Sequence, residues 1–113
     1  MEKLVKNNEF QKVYNFGKKS YGYYALIFFM KNNLEYNRCG FVASKKIGNA
    51  VCRNRIKRLF RECYRCNEEN LKTGYDLIFV GKKNAGEKFK ELKYQEMEND
   101  IKKILKKAGL IAG

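Results

Sequence analysis

One segment near the middle of the chain restricts what the rest can fold into. On a helical wheel at about 100° per residue, residues 50–66 separate into an apolar arc and a cationic arc. The apolar arc contains Cys52, Ile56, Leu59, Phe60 and Cys63. The cationic arc contains Arg53, Lys57, Arg58, Arg61 and Arg65. This pattern predicts a helix that packs one face on a core and keeps the other face in solvent.

The cationic arc has almost no acidic neighbours. Residues 45–65 hold eight basic side chains and one acid, Glu62. A solvated helix usually mixes both signs, because opposite charges at i,i+4 attract. Here Arg53, Lys57 and Arg61 follow at successive i+4 steps and repel one another, so the face indicates an anionic partner such as phosphate. A merely solvated basic face is the alternative interpretation.

The net charge of +13 is concentrated in the first part of the chain. Residues 1–66 contain 15 basic and 4 acidic side chains, whereas residues 67–113 contain 10 basic and 8 acidic ones and are expected to present an ordinary solvated surface. The 8 Phe and 8 Tyr exclude a disordered basic tail. We therefore expect one folded basic domain over residues 1–113, with a polyanion as its partner.

The residue inventory excludes several kinds of catalytic site. The chain has no histidine, so it lacks Ser-His-Asp and Cys-His nucleophile pairs and imidazole metal ligands. We expect no catalytic residue and no metal ligand in the protein itself. A zinc site would need Cys39 and Cys52 to converge on Cys63 and Cys66, which form a lone Cys-x-x-Cys pair. The favoured alternative is that the cysteines are reduced and act as small apolar residues.

The sequence shows no sign of a membrane span or an export signal. The longest apolar run, residues 23–30, is eight residues long, whereas a membrane span needs roughly 20. The first residues contain no apolar segment of the kind found in secretory signals. We expect a cytoplasmic protein with no membrane partner. A helix lying on a membrane surface is a rival interpretation, but the apolar arc of residues 50–66 is needed for the core.

Apolar periodicity and turn residues predict an α+β fold with helices on a small sheet. Elements are predicted in the order α-β-β-α-β-α, over residues 9–16, 21–30, 38–44, 50–66, 75–80 and 87–108. Asn8 is expected to cap the first helix and Gly17 to end it. The first two strands are expected to pair as a hairpin. The strand at 75–80 is nearly all apolar and is expected to be buried on both faces.

Three segments carry a resemblance to a known family. The segment SKKIGNAVCRNRIKRLFRE (residues 44–62) resembles the signature of the bacterial ribonuclease P protein family, with Arg53, Asn54 and Arg55 at its centre. The segment FQKVYNFG (residues 10–17) is similar to the first helix of that family, and YDLI (residues 75–78) to its last strand. The similarity fades after Lys83.

The resemblance implies a fold, an activity and partners. The fold is the ribosomal-protein-like two-layer sandwich with a small mixed sheet and a left-handed crossover around the basic helix, against the usual right-handed rule. The activity is endonucleolytic removal of the 5′ leader from precursor tRNA. The catalytic RNA subunit performs the chemistry with Mg²⁺, which the holoenzyme requires, and the protein is inert alone. No cofactor is assigned to the protein itself. The implied partners are the ribonuclease P RNA and precursor tRNA, without DNA.

Two binding surfaces follow from the residues and the resemblance together. The expected RNA-subunit surface comprises Lys45, Lys46, Asn49, Arg53, Asn54, Arg55, Lys57, Arg58, Arg61 and Arg65. The expected leader-binding surface comprises Phe10, Lys12, Tyr14, Phe28 and Lys82. Its aromatic members match aromatic positions of the family, and outward rings there would stack leader bases. The alternative is that all three rings belong to the core.

Three rival functions stay open on the residues alone. A structural RNA-binding module, such as a ribosome-associated protein or an RNA chaperone, would also explain the basic helix. A DNA-reading helix would need varied recognition side chains, whereas this face is repetitively cationic and suits phosphate. An enzyme acting alone is nearly excluded by the residue inventory.

Overall fold

The protein forms a five-stranded sheet with helices on both faces, and this computed structural model describes residues 1–112. The strands are β1 (Glu2–Lys3), β2 (Lys18–Tyr21), β3 (Ala25–Lys31), β4 (Arg38–Val42) and β5 (Tyr75–Gly81). The helices are α1 (Asn7–Phe16), α2 (Ala50–Asn67), α3 (Lys83–Glu87) and α4 (Tyr94–Lys107). Single 3₁₀ turns lie at Lys45–Ile47 and Glu68–Asn70. Gly113, the last residue of the predicted domain, lies outside the described residues.

The sheet is mixed, with the strand order β1-β4-β5-β3-β2. β4 runs parallel to β1 and β5, whereas β3 runs antiparallel to β5 and β2. The predicted α+β class and small mixed sheet are confirmed, and α2 forms the predicted crossover between the parallel strands β4 and β5. The left hand of that crossover remains a prediction from the resemblance.

The predicted hairpin of the first two strands is wrong. β5 lies between β3 and β4 and pairs with both over their length. Because β5 is apolar on both sides, the centre of the sheet is the place where both of its faces are covered. The segment predicted as one strand over 21–30 contains the end of β2, a turn and then β3, whose real hairpin partner is β2.

β5 packs against helices on both of its faces, as its apolar run predicts. Leu77 and Phe79 face α2 and α4 in the larger core, and Ile78 faces α1 with Leu4 and Val13 in a smaller one. The two-layer description therefore holds for the sheet with α2 and α4. α1 covers part of the opposite face.

The ends of α1 differ in part from the prediction. The helix begins at Asn7, with Lys6 as its N-cap, so the predicted cap Asn8 lies inside the first turn. The Glu9 side chain stabilises the start of this helix, because its Oε1 accepts hydrogen bonds from the backbone N–H groups of Val5 (3.0 Å) and Lys6 (2.9 Å). Gly17 ends the helix as predicted, and its N–H donates to the carbonyl of Val13.

The final helix predicted over 87–108 is two helices. α3 ends at Glu87 and α4 begins at Tyr94. Between them, the Arg55 guanidinium donates to the carbonyls of Phe89 (3.2 Å) and Leu92 (2.9 Å), which fixes a non-helical turn. The apolar positions of this region are buried: Leu92, Met97, Ile101, Ile104 and Leu105, with Ala108 half-buried.

A carboxylate of α4 holds the turn between β2 and β3. Asp100 Oδ1 accepts a hydrogen bond from the N–H of Tyr23 (2.8 Å), and Oδ2 accepts from Tyr24 (2.8 Å) and Ala25 (3.2 Å). A Cβ on Gly22 would lie 2.7 Å from Oδ2, so the close approach of the carboxylate requires glycine there. The turn thus depends on a residue far along the chain.

No helix within residues 1–112 is long and apolar enough to cross a membrane.

Replacing Asp100 by alanine leaves three N–H groups of this turn without their acceptor. Hydrogen bonds to a charged group contribute roughly 1.5–3 kcal/mol and unpaired buried donors are costly, so Asp100→Ala should lower the free energy of unfolding by about 3 kcal/mol. Urea unfolding followed by circular dichroism measures the change. The neighbouring exposed Asn99→Ala is the control, and an equal loss in both variants would contradict this role of Asp100.

Candidate nucleic-acid interface

α2 begins where the sequence predicts, and its cap is visible. The side chain of Asn49 accepts a hydrogen bond from the backbone N–H of Cys52 (2.9 Å). The whole predicted apolar arc is buried: Cys52, Ile56, Leu59, Phe60 and Cys63. Asn49, predicted to contact RNA, therefore starts the helix that carries the other predicted residues.

The exposed face of α2 is rotated relative to the predicted cationic arc. Tyr64 lies only about 20° from Arg53 on the wheel, yet it is 2% exposed. Its ring packs against Phe41 and Phe79, with centroids 6.4 and 6.2 Å away. The sheet therefore covers the side of α2 near Arg53. The solvent-exposed side is centred on Asn54, Arg58 and Arg65.

The most exposed predicted residues on this face are Asn54, Arg58 and Arg65, with the half-buried Lys57 and Arg61 beside them. Both ion pairs found in residues 1–112 belong to Arg38, so no cation of α2 has a carboxylate partner there. Together these five residues form the basic face, a strip of positive charge along α2, whose one acid, the exposed Glu62, forms no ion pair within residues 1–112.

Two predicted arginines make hydrogen bonds within the protein. Arg53 Nη1 donates to the carbonyl of Gly48 (2.9 Å), at the turn before α2. Arg55 is half-buried and holds the turn between α3 and α4, so the structure gives it a structural role that the sequence did not indicate. Lys45 and Lys46 are exposed on the single turn before the helix.

The structure brings the three predicted aromatic residues together. The ring of Tyr14 lies 6.5 Å from that of Phe10 and 4.9 Å from that of Phe28, edge to face. All three side chains are half-buried, above a floor that includes the half-buried Val42 and Val80. We call this region, formed by Phe10, Tyr14, Phe28, Val42 and Val80, the aromatic cleft.

A glycine in β4 permits this arrangement. A Cβ on Gly40 would lie 2.5 Å from Cε1 of Phe10, so any other residue would push the ring away from the sheet. Phe10 can therefore lie close against the strand.

A lysine that the sequence analysis missed lies beside the cleft. Lys19 Nζ is 5.4 Å from the ring centroid of Phe28, its register partner across β2 and β3. Alternation along β2 places Lys19 beside Phe28, but the sequence predicts a strand only from residue 21 onward. The two predicted lysines have other surroundings: Lys12 lines a polar depression with Arg38 and Asp76, and Lys82 Nζ donates to the carbonyl of Gly22 (2.9 Å).

An ion-pair network ties α1 to the sheet. Arg38 binds both carboxylate oxygens of the buried Asp76, at 2.8 Å from Nε and 2.7 Å from Nη2, and its Nη1 lies 2.7 Å from Glu9 Oε2. The hydrogen bond to Asp76 raises the pKa of Arg38. The N–H groups of Lys6 and Val5, and then Arg38, lower the pKa of Glu9. This network was not foreseen, because Asp76 stands inside an apolar run.

Three of the four cysteines are buried in the core, as expected for small apolar side chains. Cys39, Cys52 and Cys63 are buried and Cys66 is exposed. Burial raises the pKa of Cys39 to about 12 and also raises that of Cys63, so these thiols stay protonated at neutral pH. No group of three or more potential metal-ligating side chains gathers within residues 1–112.

Comparison with known proteins decides the family. The sequence model of the family described as Ribonuclease P matches residues 1–109. The chain belongs to the ribonuclease P protein family. Membership supports the role of a protein subunit of ribonuclease P, an endoribonuclease of tRNA processing, and implies an RNA partner.

Relatives and solved structures agree with this family. The chain is 53% identical over 111 residues to the ribonuclease P protein component of Fusobacterium nucleatum, covering 98% of this chain and 100% of the relative. It is 43% identical to that of Alkaliphilus metalliredigens, covering 97% and 96%. The solved ribonuclease P proteins of Thermotoga maritima (29% identity, 95% and 97% covered) and Staphylococcus aureus (27%, 98% and 98%) both match with a TM-score of 0.86.

The lowered pKa of Glu9 predicts a pH-dependent contribution to stability. A carboxylate whose pKa is depressed by folding stabilises the protein above its ordinary pKa, here 4.5, and loses that effect as pH falls through the folded value. Glu9→Gln should therefore reduce the urea midpoint at pH 7, and the gap to the parent should close below pH 4.5. Glu35→Gln is the exposed control. A gap that does not narrow at any pH below 4.5 would contradict the assignment.

Proposed function

We propose that this protein binds the catalytic RNA of ribonuclease P through the basic face of α2 and holds the 5′ leader of precursor tRNA in the aromatic cleft. The RNA then removes the leader with its own bound Mg²⁺. The observation that carries the proposal is the basic face, in which exposed cations have no carboxylate partner in the described part of the chain.

The basic face suits the phosphate groups of a folded RNA. Arg58 and Arg65 are exposed, and guanidinium groups can bind phosphate oxygens in pairs. Asn54 lies beside Arg65 on the same side of the wheel and can donate to and accept from a base edge or a ribose hydroxyl. Lys45 and Lys46 extend the positive charge to the turn before the helix. Binding phosphate would relieve the repulsion along this face.

The aromatic cleft suits a single strand without a fixed sequence. Its rings are half-buried, so the sheet and α1 orient them while part of each ring stays open to solvent. Stacking on such rings contributes roughly 1–3 kcal/mol per base and tolerates any base. Lys19 places a positive charge beside the ring of Phe28, where a phosphate of the strand would lie.

The buried carboxylates are engaged in structural bonds, which supports leaving the chemistry to the RNA. Asp76 binds Arg38, Asp100 binds the turn after β2, and Glu98 accepts a hydrogen bond from Asn67 (2.8 Å). None of these three groups is aimed into the aromatic cleft. The protein would contribute binding and orientation rather than a general acid or base.

Cleavage of precursor tRNA at low Mg²⁺ tests the proposal. A bacterial ribonuclease P RNA is assayed with and without the protein, and the protein alone is the control. We expect little cleavage by the RNA alone, restored cleavage with the protein, and none by the protein alone, because its cations replace Mg²⁺ in screening phosphate repulsion.

Two outcomes would contradict the proposal. If the protein binds the RNA but never restores cleavage, a general RNA-binding module is the better interpretation. If the protein cleaves alone, the catalytic role assigned to the RNA is wrong.

A further inference from the structure

A second basic surface lies at the β2 edge of the sheet. Lys103, Lys106 and Lys107 of α4 line an open depression of about 620 Å³ together with the turn residues Tyr21 and Tyr23. The three lysines are exposed and follow one another at i, i+3 and i+4, the spacing at which like charges repel on a helix. We call these five residues the edge surface.

The three lysines of the edge surface have one acidic neighbour in the depression, and it forms no ion pair with them. Asp100 also lines the depression, but its two oxygens are occupied by the N–H groups of Tyr23, Tyr24 and Ala25. No lysine of the surface belongs to an ion pair within residues 1–112. Lys82 adds a further cation at the same turn, since its Nζ donates to the carbonyl of Gly22.

The fold creates this concentration of charge. From the sequence, the second half of the chain is close to neutral and is expected to be ordinary surface. Two of the three acids of α4 are instead used internally: Glu98 accepts from Asn67, and Asp100 holds the β2–β3 turn. The third, Glu96, is exposed and accepts from the N–H of Lys93 at the start of α4. The lysines that remain outside are left without partners, as on α2.

The edge surface is continuous with the aromatic cleft. β2 is the outermost strand on this side of the sheet, and Lys19, beside Phe28, shares a strand face with Tyr21 by alternation. Tyr21 is 53% exposed, and its carbonyl accepts a hydrogen bond from Lys107 Nζ around the edge of the strand. A chain that leaves the cleft past Phe28 and Lys19 therefore reaches Lys107 by crossing one strand.

We propose that the upstream part of a long precursor leader crosses β2 and binds the edge surface as single-stranded RNA. The three lysines would contact its phosphates, and Tyr23, 59% exposed, offers a ring face to a base. Lys107 keeps two N–H donors for phosphate while it holds Tyr21. This inference rests on the proposed leader site in the aromatic cleft and extends it to the far side of the edge strand.

Leader length is the variable that tests it. The assembled holoenzyme is titrated with precursor tRNAs whose leaders are shortened stepwise, using the protein with Lys103, Lys106 and Lys107 all changed to Gln. We expect weaker binding for long leaders only, with the slope of log affinity against log salt reduced by roughly 2 for three lost phosphate contacts. For leaders that end inside the cleft, this variant should match the parent.

The matched control removes the same charge elsewhere. Lys88, Lys90 and Lys102 are exposed and lie outside the depression, and their triple change to Gln should leave the dependence on leader length unaltered. Equal losses in both triple variants, or a loss that ignores leader length, would overturn the inference, because net charge alone would then explain the effect.

A third variant separates the inference from the proposed function. Tyr14→Ala should weaken binding of long and short leaders alike. If it does so while the Lys103, Lys106 and Lys107 variant binds long leaders normally, the edge surface is wrong and the cleft stands. The opposite result is that Tyr14→Ala leaves binding unchanged while the lysine variant still binds long leaders more weakly. The cleft assignment would then be wrong, and the leader would reach α4 by another route, which overturns the proposed path.

Discussion

Packing on both faces of β5 is the constraint on which the rest of the structure depends. Leu77 and Phe79 bury one face under α2 and α4, and Ile78 buries the other under α1. The strand must therefore stand in the middle of the sheet, between β4 and β3. The same packing directs the basic face of α2 outward on one side and forms the floor of the aromatic cleft on the other. The two proposed RNA sites are thus positioned by a single apolar strand.

Polar contacts between distant segments then set the details of each site. Arg38 joins Asp76 of β5 to Glu9 of α1 and so fixes how α1 crosses the sheet above the cleft. Asp100 fixes the turn at which the edge surface begins. Each of these groups is a charge inside or beside apolar packing, where an unpaired ion is costly. Their pairing leaves the surface cations without internal partners, and that surplus of charge is what an RNA can neutralise.

Local patterns predicted much of this fold, and contacts between distant segments account for the errors. The periodicity of residues 50–66 predicted where α2 begins and ends and which of its residues are buried. The apolar run at 75–80 predicted that β5 is buried on both faces. Both features depend on residues that are close together in the sequence. The hairpin was wrong because β5 inserts between β3 and β4, which strand patterns do not reveal. The break before α4 depends on Arg55, and the rotation of the basic face depends on Tyr64 packing on Phe79.

The claim that two separate surfaces bind two RNAs is tested most directly by measuring two affinities for two variants. The first quantity is the affinity of the protein for the catalytic RNA alone. The second is the ratio of the holoenzyme's affinity for precursor tRNA to its affinity for mature tRNA. Arg58→Gln combined with Arg65→Gln should weaken only the first, with a smaller salt slope. Tyr14→Ala should lower only the ratio, by roughly 10-fold, since losing one stacked base costs about 1.4 kcal/mol or more. Equal losses of both quantities in both variants would contradict the account.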